Sequence, residues 1–317
     1  MNQNKDMQYH LSTRQIETVV EKAAHFLFDY CRRHEKHYMV TGVSGGLDSA
    51  VVLALAGRAC EMADKEGFRL YSIGLLLPCH SDPVHAELGR LAIDRFSAKE
   101  LLIELDEVFT FIEESVTNKT DDRIRAILSE TGAEKELSGF SWSRRVAQGN
   151  IKARLRMLCG TYHVARMVDG LVLSTDNYSE LLMGFWTING DVGDLGAIQY
   201  ILKGLELYDI ARFLEVPEAI LNAAPTDGLG ISEGGDEAQL GADYETVDKI
   251  MVTLLQKGFD PDGPLAQLDN PAPVAGVEAD LIFSLAQRTL KAAHKRAGCR
   301  GISRKELGLP PLSKIKV

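Results

Sequence analysis

Residues 42 to 49 read Gly42-Val43-Ser44-Gly45-Gly46-Leu47-Asp48-Ser49, directly after the short apolar run Tyr38-Met39-Val40 and at the opening of a helix-forming stretch, Ser49 to Ala63. A strand, a glycine turn and a helix start in that order leave few folds open. Two glycines let the backbone approach a ligand closely. The helix N-terminus offers unpaired N–H groups and a partial positive charge, so an anion such as pyrophosphate fits there. Ser44 and Ser49 add hydroxyl donors, and Asp48 is a hard oxygen ligand suited to magnesium. No Walker-type lysine follows the glycines, which separates this loop from the Gly-x-x-x-x-Gly-Lys-Ser/Thr motif.

The rest of the chain predicts an α/β fold, a parallel sheet with helices on both faces. Ser12 or Thr13 caps a helix running to about Arg33, with Ile16, Val19, Val20, Ala23, Phe26 and Leu27 at helical spacing. Strands are expected at Leu70 to Leu77, Leu101 to Leu105 and Leu171 to Ser174. Helices are expected at Pro83 to Phe96, Gln148 to Met167, near Ser179, at Glu206 to Leu214 and at about Val277 to Lys295. Nearly continuous apolar strands alternating with helices imply a sheet covered on both faces. One domain is expected over 1–317. Within it, 106–145 is a charged, partly helical excursion, 223–241 a Gly-rich and acidic mobile lid loop, and 258–317 a Pro-punctuated C-terminal extension.

Composition narrows the partners. A formal net charge of -10 argues against a nucleic-acid binder, which needs a concentrated basic face. No apolar run approaches the ~20 residues needed to span a bilayer, and Met1 to His10 is polar, unlike a secretory signal. The five cysteines, Cys31, Cys60, Cys79, Cys159 and Cys299, are scattered without a Cys-x-x-Cys pair, which suits reduced thiols in the cytoplasm. His80 and His85 beside Cys79 lack further ligands at a recognisable metal spacing, and a helix carrying Lys152, Arg154 and Arg156 would on its own be read as a solvated face.

Gly42 to Gly46 also matches Gly-x-Ser-x-Gly, the nucleophile elbow of α/β-hydrolases. That elbow normally follows several strands and an oxyanion loop, whereas here one helix and one strand precede it. Ser-Gly-Gly-x-Asp-Ser after the first strand resembles instead the loop of the ATP pyrophosphatases, which cleave ATP between the α- and β-phosphates. Further segments resemble the ammonia-dependent NAD synthetases within that group. Gly149 to Met157 is similar to GNxKARxRM, and Ser174 to Glu180 is similar to (G/S)T(D/G)xxxE. Phe185-Trp186-Thr187 with Gly190-Asp191 resembles FFTKxGD. Pro225-Thr226-Asp227, Asp236-Glu237 and Leu240-Gly241-x-x-Tyr244 resemble PTAxL and DExxLGxxY, and His294-Lys295-Arg296 resembles a C-terminal HKR. The similarity runs in order from about residue 18 to 300.

This resemblance implies an adenine nucleotide alpha hydrolase-like (ATP pyrophosphatase) fold and an AMP-forming ligase. ATP would be held by Ser44, Gly45, Gly46, Asp48, Ser49, Thr175, Lys203 and Thr226. Magnesium would be held by Asp48 and Glu180, and deamido-NAD by Asn150, Arg154, Asp191, His294 and Lys295. Asp48, Glu180 and Lys203 would be the catalytic residues, and a homodimer is implied. In the resembling family the nicotinate carboxylate attacks the α-phosphate of ATP, pyrophosphate leaves, and ammonia attacks the acyl-adenylate. The glycine loop begins so early that no upstream amidohydrolase domain is expected, so free ammonia is the expected nitrogen source. Three departures stand out: Ile188 where the family has Lys, Asp191-Val192-Gly193-Asp194 in place of DGGxD, and Ser174 in place of the usual Gly. The first two keep open another ATP pyrophosphatase acting on a different carboxylate or nucleobase. A nucleotide-binding regulator without turnover is the third possibility, and it has no need of Glu180 or a lid.

Overall fold

A strand buried on both faces must offer apolar side chains in both directions, and each central strand of this protein does so. In the computed structural model, β1 (Tyr38–Gly42), β2 (Tyr71–Leu76), β3 (Lys99–Leu102) and β4 (Leu171–Leu173) form a parallel sheet in the order β3-β2-β1-β4. Met39, Leu76, Leu171 and Leu173 enter one core, while Val40, Leu75 and Val172 enter the core on the opposite face. The structure describes residues 9–226, 228–232, 234–269 and 271–298. Asp227, Cys299, residues 1–8 of the polar N-terminus and 299–317 of the C-terminal extension lie outside the described residues.

The first face is covered by α1 (Thr13–Arg33) and α2 (Leu47–Lys65). A capping box starts α1: Ser12 Oγ accepts from Gln15 N–H, and the Gln15 side chain accepts from Ser12 N–H at 2.9 Å. Its buried stripe is Ile16, Val20, Ala24, Leu27, Phe28 and Cys31, whereas Phe26, expected on the apolar face, points to solvent because it falls off that stripe. Asp82 caps α3 (Pro83–Arg95) by accepting from Val84 N–H at 3.0 Å, with Pro83 in the first turn.

Strand β3 starts two residues earlier than the apolar run predicts. It is one of the two edge strands, and unlike β4 at the other edge all four of its residues are exposed, so the hydrophobic signal is lost. The ladder nevertheless continues past it, with Ile103 N–H donating to Leu76 O and Leu105 N–H to Pro78 O, both at 2.9 Å.

Residues 106 to 145 hold α4 (Asp106–Ile112), α5 (Asn118–Glu130), α6 (Glu134–Ser138) and the start of α7 (Phe140–Leu155). A π turn, Arg156–Thr161, joins α7 to α8 (Tyr162–Met167), so the expected helix beginning near Gln148 begins at Phe140. The wider turn brings Gly160 against Leu77, so close that a Cβ there would lie 2.6 Å from the leucine methyls.

After β4 come α9 (Tyr178–Met183), α10 (Tyr208–Phe213), α11 (Glu218–Leu221), α12 (Gly235–Leu240), α13 (Tyr244–Gln256), α14 (Ala279–Lys291) and α15 (Ala293–Arg296). Helix α12 lies inside the stretch expected to be loop. Helices α9, α12, α13 and α14 pack around a third core that includes Leu182, Leu240, Ile250, Met251 and Leu285. Among the described residues no helix is long and apolar enough to cross a membrane.

Candidate active site

The carboxyl ends of β1 and β4 lie side by side, and two chain segments leave there into helices. After β1, Ser44 Oγ accepts from Gly46 N–H at 3.2 Å, and Ser49 Oγ donates to Gly46 O at 3.1 Å. Gly46 caps α2 without a side-chain bond, which leaves the first-turn N–H groups directed at the cavity mouth. Gly45 sits at φ +82°, and a Cβ there would fall 2.4 Å from His85 O on α3, so only glycine closes this turn. Ser49 is buried beneath the loop and holds its shape, while Ser44, Gly45, Gly46 and Asp48 line the cavity itself.

After β4, Asn177 caps α9: its Oδ1 accepts from Glu180 N–H at 3.0 Å, and Glu180 returns a carboxylate oxygen to Asn177 N–H. Asn177 Nδ2 also donates to Asp48 at 2.7 Å, which ties the two helix starts together. Between them lies Lys203, 5% exposed, with Nζ 2.8 Å from Asp48 Oδ2 and 3.1 Å from Glu180 Oε1. Asp236 stands 4.0 Å from the same ammonium, and the Tyr244 ring lies 4.3 Å from it. The Tyr244 hydroxyl donates to Asp236 at 3.1 Å. Burial pushes the Glu180 carboxyl up to about 8, opposed by Lys203 and reinforced by Asp48 and Asp236. For Lys203, burial favours the neutral amine, but Asp48, Glu180 and the other acidic neighbours outweigh it and keep the ammonium charged well above the ordinary range.

The lysine is itself placed from behind. Lys203 N–H donates to Ser179 Oγ at 2.8 Å, and the next amide, Gly204 N–H, donates to Asp248 Oδ2 at 2.7 Å. A Cβ on Gly204 would collide with the Tyr244 backbone at 2.4 Å, so α13 packs directly on this turn. Burial pushes the Asp248 carboxyl up to about 6, against the pull of Ser179 and the Gly204 and Leu205 amides. A carboxyl raised on folding stabilises the fold below its unfolded pKa and loses that contribution as pH rises toward the folded value. The shift of roughly two units corresponds to ~3 kcal/mol. Asp248→Asn keeps an acceptor for Gly204 N–H and cannot ionise. It is expected to remove most of the stability lost between about pH 4 and about pH 6.5. Thermal melts across that range decide it, and identical pH slopes in both proteins would reject it.

The opposite wall is the turn from Gly184 to Asp191. Asp191 accepts from Thr187 N–H, and burial holds its carboxyl above the usual range. Thr187 Oγ1 donates to Asn150 Oδ1 at 2.6 Å, and Arg154 Nε donates to Ile188 O at 3.2 Å. Lys295 Nζ donates to Gly184 O at 2.6 Å and to Trp186 O. Arg154 and Lys295 thus hold the backbone of the turn, and Asn150 its Thr187 side chain, while Phe185, Trp186, Gly190 and Asp191 of the same turn line the cavity. His294 is placed elsewhere: it is exposed, bonds Lys291 O in its own helical end, and does not line the cavity. Thr175, Thr226, Glu180 and Lys203 do line it, and its volume is about 560 Å³.

Two of the departures are physically one. Ser174 Oγ accepts from Gly193 N–H, and Asp194 accepts from Val172 N–H and from the Tyr162 hydroxyl, each at 2.9 Å. The serine hydroxyl and the Asp191-to-Asp194 segment therefore lock together beside β4, and a Cβ on Gly193 would strike Val172 O at 2.6 Å. At the third departure, Ile188 contributes its carbonyl to Arg154.

Asn177, Asp236, Tyr244 and Asp248 had no assigned role in the sequence. Helix α13 carries the last two of these, and its signal was legible. Asp243 caps it at 2.7 Å, and Tyr244, Val247, Ile250, Met251 and Leu254 recur on one face.

The NAD synthase family model matches residues 19–298. The NH(3)-dependent NAD(+) synthetase of Syntrophomonas wolfei is 33% identical over 74% of this chain and 84% of its own length. That of Methanocaldococcus jannaschii is 28% identical over 84% and 92%. Among solved structures, the NMN synthetase of Francisella tularensis superposes with TM-score 0.65 at 23% identity, covering 91% of this chain and 98% of that one. The NH3-dependent NAD synthetase of Campylobacter jejuni gives 0.63 at 22% identity, covering 91% and 99%. These two share the fold. With a family match over most of its length and the glycine loop, acidic cluster and Asp191 turn on one cavity, this chain belongs to the NAD synthase family.

Proposed function

We propose that this protein amidates deamido-NAD to NAD with ATP and ammonia, releasing AMP and pyrophosphate. The observation that carries it is the joining of three elements on one cavity, in a chain whose relatives are named NH(3)-dependent NAD(+) synthetases. Those elements are the glycine loop, the Asp48–Glu180–Lys203 cluster and the Asp191 turn.

A carboxylate resists attack by ammonia because the incoming electrons must enter an already anionic group. Transfer of AMP onto it solves this. A carboxylate oxygen bonds to the α-phosphorus and the bond to the β-phosphate oxygen breaks. Ammonia then bonds to the acyl carbon, AMP departs with the carboxylate oxygen, and the nitrogen loses its surplus protons. Both steps bring anions together, so catalysis rests on position and charge. The N–H groups at the start of α2 and the Ser44 hydroxyl bind phosphate oxygens, and Thr175 and Thr226 line the same space. Lys203 offsets negative charge at the leaving pyrophosphate, steadied by Asp48 and Glu180. The Asp191 turn, held by Asn150, Arg154 and Lys295, bounds the substrate's reacting end.

Magnesium fits this cluster: Asp48, Glu180 and Asp236 set hard carboxyl oxygens around a single ammonium. Asp48 and Glu180 would hold it. Among the described residues no three acidic, His or Cys side chains are set to hold a metal alone, so phosphate oxygens would complete its shell. When bound, it supplies positive charge to the triphosphate.

A homodimer accords with the apolar side chains left in solvent along α4, α5 and the α7–α8 region. Phe111, Ile127 and Trp142 are exposed there, with Leu158 at 71% and Met167 at 74%. Use of ATP and the free thiols of Cys31, Cys60, Cys79 and Cys159 support a cytoplasmic location.

The test mixes protein, ATP, Mg²⁺, ammonium and deamido-NAD and follows NAD, AMP and pyrophosphate by mass spectrometry. Equal amounts of all three are expected. No NAD, with ATP cleaved to AMP only when other carboxylates are offered, would keep the nucleotide site and overturn the substrate. In the same assay Glu180→Gln is expected to bind ATP within about threefold of the parent and lose at least ~10²-fold in turnover. Equal turnover would remove Glu180 from the machinery.

A further inference from the structure

The cavity wall comes from segments far apart in the chain, and one guanidinium joins three of them. Arg156 opens the π turn after α7, half-buried. Its Nε donates to Leu77 O at 3.2 Å. Its Nη2 donates to Ser81 Oγ and to Gly228 O, also at 3.2 Å each. Leu77 and Ser81 lie on the segment leaving β2, and Gly228 lies between α11 and α12, two residues beyond Thr226. All four residues line the cavity.

A second contact, independent of the guanidinium, brings the same stretch onto α7. A Cβ at Gly149 would lie 2.8 Å and 2.9 Å from Ile231 carbons and 3.1 Å from Leu229. Ile231 is buried, and Gly228 and Gly230 take positive φ to make the bend. An apolar plug and a planar donor fork therefore seat residues 228–232 on the helix that also carries Asn150 and Arg154. A guanidinium suits this task because its donors point in fixed, divergent directions in one plane. An ammonium on a shorter reach could serve one or two of these acceptors, not all three.

We propose that Arg156 is a positioning residue that latches residues 228–232 to the segment after β2, across the nucleotide side of the cavity. Through α7 it couples that side to the substrate turn. The function of the latch rests on the ATP-site reading given above; its existence does not.

Hydrogen exchange read by mass spectrometry, on the full chain without ligand, tests the latch. Peptides covering 76–84 and 224–235 are compared in the parent, Arg156→Lys and Arg156→Ala. Exchange in both peptides is expected to rise by about tenfold in Arg156→Ala and by less in Arg156→Lys, as local opening becomes easier. Peptides from α1 and α13 should not change. Ile231→Ala should loosen 224–235 and leave 76–84 alone. Unchanged exchange at both latch peptides in Arg156→Lys and Arg156→Ala would overturn the proposal. If Arg156→Ala unfolds, α1 reports it, and Arg156→Lys then decides by the same two peptides. With Mg²⁺ and ATP, the KM for ATP should rise about tenfold with kcat changed less than about threefold, the pattern of a residue that organises the ground-state site. A fall in kcat at unchanged KM and unchanged exchange would overturn it, by making Arg156 a direct catalytic group. If the protein makes no NAD but exchange responds as described, the substrate assignment fails while the latch stands.

Discussion

Lys203→Met is expected to lose at least ~10³-fold in NAD formation, and to lose stability as well, by roughly 3–5 kcal/mol at neutral pH. Lys203 is a buried cation among Asp48, Glu180 and Asp236, and methionine fills its volume without its charge. Removing one partner of a buried ion pair leaves the others uncompensated, which is where the large number comes from. The pH dependence carries the diagnosis. Without the ammonium, the Glu180 carboxyl rises further above the value of about 8 that it has in the parent. Its penalty is absent while the acid stays protonated in both proteins and appears where the parent's Glu180 ionises beside Lys203 and the variant's cannot. The stability gap between variant and parent should therefore stay level below about pH 7 and widen as pH rises through about 8 to about 9.5. Chemical denaturation across that range measures it. A gap that stays constant would mean that Lys203 contributes packing and not charge balance.

The second large effect belongs to Gly45. Alanine there must sit at φ +82°, in the left-handed region, with its Cβ 2.4 Å from the His85 carbonyl of α3. The backbone strain alone is ~1–2 kcal/mol, and the clash is with backbone that cannot swing aside, so the loop or α3 must shift. The N–H groups at the start of α2 then lose their common focus. Gly45→Ala is expected to weaken ATP binding by about 10²-fold, with a loss of only a few degrees in Tm. Isothermal titration with ATP and a thermal melt settle it together. Unaltered ATP affinity would show that the phosphates do not rest on this loop. The neighbouring Gly46 makes a useful contrast, since its φ is ordinary and a Cβ would meet only the Ser44 hydroxyl, at 3.3 Å.

The sheet and its loop were legible because their signals are local and redundant. Apolar runs of strand length, a glycine turn and a helix start coincide at residues 38 to 63, and β1, the turn and α2 fall there. Where a signal depends on burial by something distant, it faded. Strand β3 is exposed at every position, so its sequence carries no apolar alternation and the apolar run beside it points two residues too far along. The π turn at Arg156–Thr161 leaves no mark in helical periodicity, yet it turns Arg156 toward Leu77 and seats Gly160 beneath it. His294 stands beside Lys295 in sequence, but the last helical turn points the two apart, one to solvent and the other into the Gly184 turn.

What the sequence determined by itself was the kind of site: glycines and a helix start for an anion, paired carboxylates and a lysine for charge, in the order that marks this family. Those features reside in residue type and short spacing, which no folding step can change. What the tertiary structure alone decided was which side chains meet. Lys203 reaches Asp48 only because β1 and β4 are neighbours, and its own turn is pinned by Asp248 from α13. Arg154 is spent on the Ile188 backbone, while Arg156, two residues on, gathers the cavity wall. Contacts between residues tens to more than a hundred positions apart depend on how helices pack on a sheet, and short-range pattern carries almost none of that information.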